Sequence, residues 1–148
     1  MSDRQAQIDE IAGQIKHHRS VWEPRLTIMI QRVSKAFGEA FKSISCVGEV
    51  LLSKTGSSHN NHEDDFEKWE IQIMVQFRET EKMQLLTGNR QSGGERSVST
   101  IFYLMALQEM ARAPFRVVDE INQGMDPKNE RFVHKRMVET ACKTGRSQ

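Results

Sequence analysis

Cysteine, long apolar runs and a charge imbalance are all scarce or missing in this sequence of 148 residues. Its two cysteines, Cys46 and Cys142, lie far apart and form no CxxC pair. This argues against a disulfide scaffold or a structural zinc site and favours free thiols in a reducing compartment. No apolar stretch has membrane-spanning length and no secretory signal pattern opens the chain, so no membrane contact is expected. With a net charge of +1, composition alone neither supports nor excludes a nucleic-acid partner.

Residues 1–45 have the apolar spacing of a helix. The gaps of three and four along one stripe are set by Ile8, Ile11, Ile15, Leu26, Ile30, Val33, Phe37, Phe41 and Ile44. The polar surroundings indicate the end of a coiled coil that runs into a globular body. The alternative is a single amphipathic helix packed on its own domain. Pro24 is expected to kink this helix or to separate two helices.

Residues 46–79 have the pattern of a β-hairpin with a long connection. The stretch 46–54 suits a short strand, and the polar, turn-forming residues 55–65 predict a flexible loop. The stretch 66–79 alternates apolar and polar residues, which predicts a half-buried strand paired antiparallel with the first.

The stretch QSGGERS, residues 91–97, precedes an apolar run. Ser92 and Glu95 have the spacing of a capping box, so a helix should begin here. The run that follows is apolar on nearly every side, which predicts a buried helix. Gly93 and Gly94 would leave backbone amides open to a bound anion. The alternative is a helix end that merely tolerates glycine.

A second apolar run, residues 115–118, ends in Asp119 and Glu120. It predicts a buried parallel strand, and ligands in open α/β sheets lie beyond the carboxyl ends of such strands. Asp119 would hold Mg²⁺, directly or through water, and Glu120 would position or deprotonate an attacking water. The alternative is that both acids only turn the chain.

The residues after this run predict a last helix over 127–142. Asp126 has the position of its N-cap and Pro127 that of its first turn. Its buried side is expected to carry Phe132, Val133, Met137 and Val138. Its basic residues alternate with glutamates, which favours a solvated face over a binding face.

Taken in order, these motifs resemble the C-terminal half of an ABC-type ATPase head of the SMC (structural maintenance of chromosomes) family. The part that resembles the signature motif comprises Gln91, Ser92, Gly93, Gly94 and Glu95, with glutamine where the family usually has leucine. Residues 115–120 are similar to Walker B, and the part similar to the D-loop comprises Gly124, Met125 and Asp126. The wording QSGGERSVST and FRVVDEINQGMDP resembles the subunit-five branch of the SMC five–six complex.

The resemblance implies an α/β fold: residues 1–45 as a coiled-coil end and neck helix, and 46–148 as the C-terminal lobe of the head. It implies ATP and Mg²⁺ as cofactors, with Ser92 and the neighbouring amides contacting the γ-phosphate of ATP bound on a partner head. Implied partners are the N-terminal lobe of the same subunit, an SMC-six-like head, a kleisin subunit and DNA. The implied role is DNA repair by homologous recombination on chromosomes in the nucleus.

The sequence also departs from a complete ATPase of that family. It contains no GxxxxGK[ST] motif, which the family carries in its N-terminal lobe and which holds most of the nucleotide's charge. It also ends where the family would continue into another strand. We therefore expect a fragment that does not hydrolyse ATP alone. The alternatives are a non-catalytic module that binds the kleisin or the partner head and, less in keeping with the wording INQGMD, another ABC-type repair ATPase.

Overall fold

The computed structural model describes residues 2–54, 66–111 and 117–142. The elements of these residues are, in chain order, α1 (Ser2–Lys42), β1 (Val47–Ser53), a short 3₁₀ turn (Phe66–Lys68), β2 (Glu70–Gln76), β3 (Gln84–Leu85), α2 (Gly93–Gln108) and α3 (Pro127–Ala141). The loop predicted over 55–65, and residues 115 and 116 of the strand predicted over 115–118, lie outside the described residues.

Helix α1 is one continuous helix, so the predicted boundary between two helices at Pro24 is wrong. Proline removes one backbone donor, and Pro24 lies on an exposed face, where water can satisfy the carbonyl that loses its partner. The two halves of α1 differ in burial. Residues 4–18 are exposed, Ile8 and Ile11 included, whereas the carboxyl half buries one face in the core. The coiled-coil end and the single amphipathic helix packed on its own domain both stay predictions for this segment.

The three strands form one antiparallel sheet in the order β1–β2–β3. In the pairing of β1 with β2, Val50 lies opposite Ile73, as the predicted hairpin requires. Strand β3 was not predicted, because two residues are too few to show alternation. The outer edge of β1 lies against α1, where the Ser34 hydroxyl accepts a hydrogen bond from the Val50 N–H at 2.9 Å.

The core lies between the carboxyl half of α1, the inner face of the sheet and α2. Phe37, Phe41 and Phe102 are fully buried there, and the Phe37 and Phe41 rings lie 4.6 Å apart. Burying one such side chain stabilises the fold by about 1.5–3 kcal/mol. Gly48 of β1 packs directly under the Phe37 and Phe41 rings, so the sheet and α1 approach closely at this point.

Two predictions of burial are wrong in part. Helix α2 is buried on the face of Val98 and Phe102, but Leu104 and Leu107 on its other side are exposed. In α3, Val133 is fully buried, whereas Val138 is 61% exposed. In both helices, apolar residues occupy more than one face, and the neighbouring described elements cover only one of these faces. No helix among the described residues is both long and apolar enough to cross a membrane.

Candidate functional site

Helix α2 begins with the predicted capping box. The Ser92 hydroxyl accepts a hydrogen bond from the Glu95 N–H at 3.3 Å, and a Glu95 carboxylate oxygen accepts from the Ser92 N–H at 2.8 Å. These reciprocal bonds satisfy two backbone donors and leave the Ser92 side chain on the surface. A hydroxyl has one donor and two acceptor positions, so Ser92 can still donate to a ligand while it caps the helix.

We call residues 91–95 the capping turn, and its two glycines differ in their surroundings. Apart from its chain neighbours and the nearby backbone of its own helix, no described atom lies within 4 Å of the position that a Cβ on Gly93 would occupy. A Cβ on Gly94 would lie 3.8 Å from an Asp126 carboxylate oxygen. Crowding among the described residues does not require glycine at either position, so the open surface above Gly93 is available to a ligand or to another protein.

Two side chains tie the capping turn to the sheet. The Gln91 side chain bonds the backbone beside β3: its Oε1 accepts from the Thr87 N–H at 2.9 Å and its Nε2 donates to the Leu85 carbonyl at 3.3 Å. On the other side, Arg78 lies 3.5 Å from the Glu95 carboxylate that caps Ser92. Sequence reasoning missed Arg78, which lies beyond β2 and in no recognisable motif.

The two acids predicted at the end of a buried strand lie on exposed, irregular backbone. Residues 117–119 form no strand and Val117 is 85% exposed, so the described part of that prediction is wrong. A parallel strand is buried when neighbours cover both faces, but the only sheet of the described residues is the antiparallel one. Glu120 has a φ of 49°, in the left-handed region that costs most residues about 1–2 kcal/mol. Such outliers occur often at functional sites.

A turn carries the chain from Glu120 to α3. The Glu120 carbonyl accepts from the Gln123 N–H at 3.1 Å, and Gly124 has a φ of 77°, which favours glycine. The described elements therefore place Gly124, Met125 and Asp126 in sequence between Glu120 and the start of α3.

Asp126 is the N-cap of α3, as predicted. One of its carboxylate oxygens accepts from the Lys128 and Asn129 N–H groups, both at 3.0 Å. The N–H of Asn129, followed by that of Lys128, holds the pKa of the Asp126 carboxyl below its ordinary value. Asp126 therefore stays charged next to the backbone of Gly94, at the start of α2.

An open groove of about 750 Å³ separates α2 from the segment that contains both acids. Gly93 and Arg96 lie at its α2 side, and Asp119 and Glu120 line the opposite side. Apolar side chains form much of the rest, among them Ile101, Leu104, Met105, Val118 and Ile121. The structure thus brings the start of α2, both acids and Gly124 to a single surface.

This surface is suited to a nucleotide phosphate with its magnesium ion. The first amides of α2 point out of a helix N-terminus, where an anion is favoured, and no Cβ covers Gly93. Among the described residues no three His, Cys, Asp or Glu side chains cluster as a metal cage. Magnesium on a nucleotide needs only one or two carboxylates, and Asp119, on the opposite side of the groove from these amides, can offer one.

Comparison with known proteins identifies related chains and related folds. The chain is 47% identical over all 148 residues to structural maintenance of chromosomes protein 5 of Schizosaccharomyces pombe, and spans 13% of that protein. It is 42% identical over 127 residues, 86% of the chain, to the protein of the same name in Arabidopsis thaliana, and spans 11% of it. No family model matches the chain.

Solved structures share the fold. An SMC ATPase studied for ATP-driven dimerization and DNA-stimulated activation matches 81% of this chain and 67% of its own, with a TM-score of 0.64 and 18% identity. The Smc head domain of Pyrococcus furiosus, with an extended coiled coil and bound to the C-terminal domain of ScpA, matches 96% of this chain and 32% of its own. Its TM-score is 0.61 at 20% identity. The predicted fold class, an α/β C-terminal lobe of an ABC-type ATPase head, is therefore confirmed.

Proposed function

Because this chain belongs to the structural maintenance of chromosomes (SMC) family, we propose that it supplies the C-terminal part of an ATP-hydrolysing head. It spans about one eighth of its fission yeast relative, so a complete head would need the N-terminal lobe of the same subunit, which would contribute the missing GxxxxGK[ST] motif. In this proposal the chain is inactive alone.

The observation that carries this proposal is the open start of α2. Ser92 and Gly93 are exposed, and no described atom covers the position above Gly93. A nucleotide held by another protein could reach the amides and the hydroxyl here without displacing any side chain of this lobe. We propose that Ser92, Gly93 and Gly94 contact the γ-phosphate of ATP bound to a partner head, which makes ATP the link between two heads.

The acids on the far side of the groove would serve a second nucleotide, held by the N-terminal lobe of the same subunit. Asp119 would hold the magnesium ion, directly or through water. Glu120 would accept a proton from, or orient, the attacking water. Both carboxylates are exposed in this lobe, and the left-handed backbone at Glu120 turns the chain sharply beside the groove. Asp126 and Gly124 connect the two phosphate-facing regions.

The family and the related structures support a set of proposed partners. We propose an SMC-six-like subunit as the partner head, because the relatives share the name of subunit five. We propose a kleisin subunit as a further partner, because the Pyrococcus furiosus Smc head is bound to ScpA. We also propose that DNA is a substrate. The proposed role is repair by homologous recombination, on chromosomes in the nucleus.

The test is ATP turnover by the reassembled head. This chain would be combined with the N-terminal lobe of its subunit and with the partner head, as wild type, Ser92→Arg or Glu120→Gln. Two matched controls change exposed residues that do not line the groove: Ser20→Arg on α1 and Glu49→Gln on β1. We expect both site variants to lower turnover at least about 100-fold, since each removes a group proposed to act in the transition state, while both controls retain it.

The two site variants should differ in nucleotide binding. Glu120→Gln keeps the shape and the hydrogen-bonding capacity of the side chain, so it should still allow ATP-dependent association of the heads. Ser92→Arg should block that association, because the larger side chain fills the space needed by the phosphate. Turnover unchanged in Glu120→Gln would remove Glu120 as the base. Association without turnover in the wild type would favour a non-catalytic binding module.

A further inference from the structure

Both polar atoms of the Gln91 side chain form hydrogen bonds with the backbone of the same chain. Its Oε1 accepts from the Thr87 N–H at 2.9 Å, and its Nε2 donates to the Leu85 carbonyl at 3.3 Å. The two partners fix the orientation of the amide, because a backbone N–H needs an acceptor and a carbonyl needs a donor. Gln91 is half-buried, whereas Ser92 beside it is exposed. The amide of Gln91 therefore faces the sheet and not the groove.

These two bonds close the loop between β3 and α2. Leu85 is paired with Met74 of β2, so it belongs to the framework of the sheet. A turn at residues 88–90 follows, and the chain returns to Gln91 directly before the helix. A side-chain amide that bonds the backbone on both sides of Leu86 holds the returning chain against the sheet. It thereby fixes the distance between β3 and Ser92.

We infer that Gln91 is a positioning residue that holds the capping turn in the arrangement needed to receive a nucleotide, without touching that nucleotide itself. The inference rests on the proposed function and refines it: Gln91 acts through Ser92. Arg78 supports the same turn from the other side, through Glu95. A leucine at position 91 could fill the same volume, but it could form neither bond to the backbone, so the loop would be held by packing alone.

The experiment compares Gln91→Met with Gln72→Met in the reassembled head. Methionine keeps the length of the side chain and removes both its donor and its acceptor. Gln72 is the matched control, because its one side-chain hydrogen bond within residues 2–54, 66–111 and 117–142 is to the nearby Glu70 carboxylate on the sheet. Hydrogen exchange of the peptide that contains residues 85–91 reports on the two hydrogen bonds of the Gln91 side chain. The kcat and KM for ATP report on whether these bonds matter for turnover.

For Gln91→Met we expect exchange at Thr87 to accelerate about fivefold, the factor that one net hydrogen bond is worth. We expect kcat to fall at least about threefold with KM for ATP nearly unchanged, since the capping turn acts on the engaged state and not on the first binding of ATP. Gln72→Met should change neither quantity.

Two results would overturn the inference: unchanged exchange in Gln91→Met, or faster exchange with an unchanged kcat. Ser92→Arg, measured alongside, separates this from failure of the proposed function. If Ser92→Arg abolishes turnover while Gln91→Met does not reduce it, only the role of Gln91 is wrong. If Ser92→Arg leaves turnover intact, the proposed contact with the nucleotide is itself wrong, and the role of Gln91 in turnover is rejected with it.

Discussion

Replacing Gly48 by alanine should destabilise the lobe, because there is no space for a methyl group under the aromatic core. A Cβ on Gly48 would lie 2.6 Å from Cε1 of Phe37, and 2.7 and 2.8 Å from Cγ and Cδ2 of Phe41. Carbon atoms without a bond between them approach to about 3.5–4.0 Å, so each ring would have to move by about 1 Å. Both rings are fully buried, and protein interiors are close-packed, so such a movement would disturb their neighbours.

The expected magnitude follows from two opposing effects. Overpacking of this kind costs about 1–3 kcal/mol. Alanine recovers about 0.5–1 kcal/mol of that cost, because it restricts the unfolded chain more than glycine does. We therefore expect Gly48→Ala to lower the free energy of unfolding by about 1 kcal/mol, the difference between the midpoints of these two effects.

The assay is urea-induced unfolding of the 148-residue chain, followed by the fluorescence of Trp22 and Trp69. Gly13→Ala is the matched control: Gly13 lies on the exposed half of α1, with no described atom within 4 Å of the added Cβ. That substitution should raise the stability by about 0.5–1 kcal/mol, the ordinary helical preference for alanine. If Gly48→Ala were as stable as wild type, the close contact between β1 and α1 would be refuted.

Two further predictions concern the turn before α3. Gly124→Ala should lower the free energy of unfolding in urea by about 1–2 kcal/mol. The positive φ alone is the cause, because Ser97 Oγ lies 3.8 Å from the added Cβ and does not clash with it. Gly124→Asn should recover part of this loss, and an alanine variant as stable as wild type would contradict the backbone conformation at Gly124. Asp126→Ala should lower the unfolding midpoint at pH 7, since the N-H groups of Lys128 and Asn129 lose their acceptor. Because the pKa of Asp126 is lowered in the folded state, its stabilisation is present above the unfolded pKa, about 4, and is lost as pH falls through the folded pKa. Melting curves at pH 7 and pH 2.5 should therefore show a smaller difference between wild type and Asp126→Ala at the lower pH, and a constant difference would contradict the carboxylate as the source.

The helix caps and the hairpin could be predicted from the sequence because they depend on near neighbours. Ser92 and Glu95 satisfy each other across three residues, and Asp126 accepts from amides two and three residues later. The hairpin follows from alternation, which reports directly on a sheet with one covered face. The predicted residues at the start of α2 and in the turn before α3 also lie near each other, as the distance from Gly94 to Asp126 shows.

The remaining features depend on contacts that local patterns do not encode. Val117 and Val118 have the sequence of a buried strand, but burial needs partner strands that the described residues do not supply. Leu104 is exposed for the same reason, at the groove between α2 and the acids. The hydrogen bonds of the Gln91 side chain could not be predicted, because their partners lie beside a strand of only two residues. Two residues are too few to show a sequence pattern.

Because α1 is buried unequally, one half of the helix is fixed to the core and the other half projects from it. Its carboxyl half is fixed in the core by Phe37 and Phe41, while residues 4–18 extend as an exposed arm. At 1.5 Å per residue, that arm is about 20–25 Å long. A rotation of the lobe by about 10° would then displace the amino-terminal end of the arm by about 4 Å, given that length. Because residues of α2 pack in the same core, small movements at the groove would be enlarged along α1 without any change in its internal hydrogen bonds.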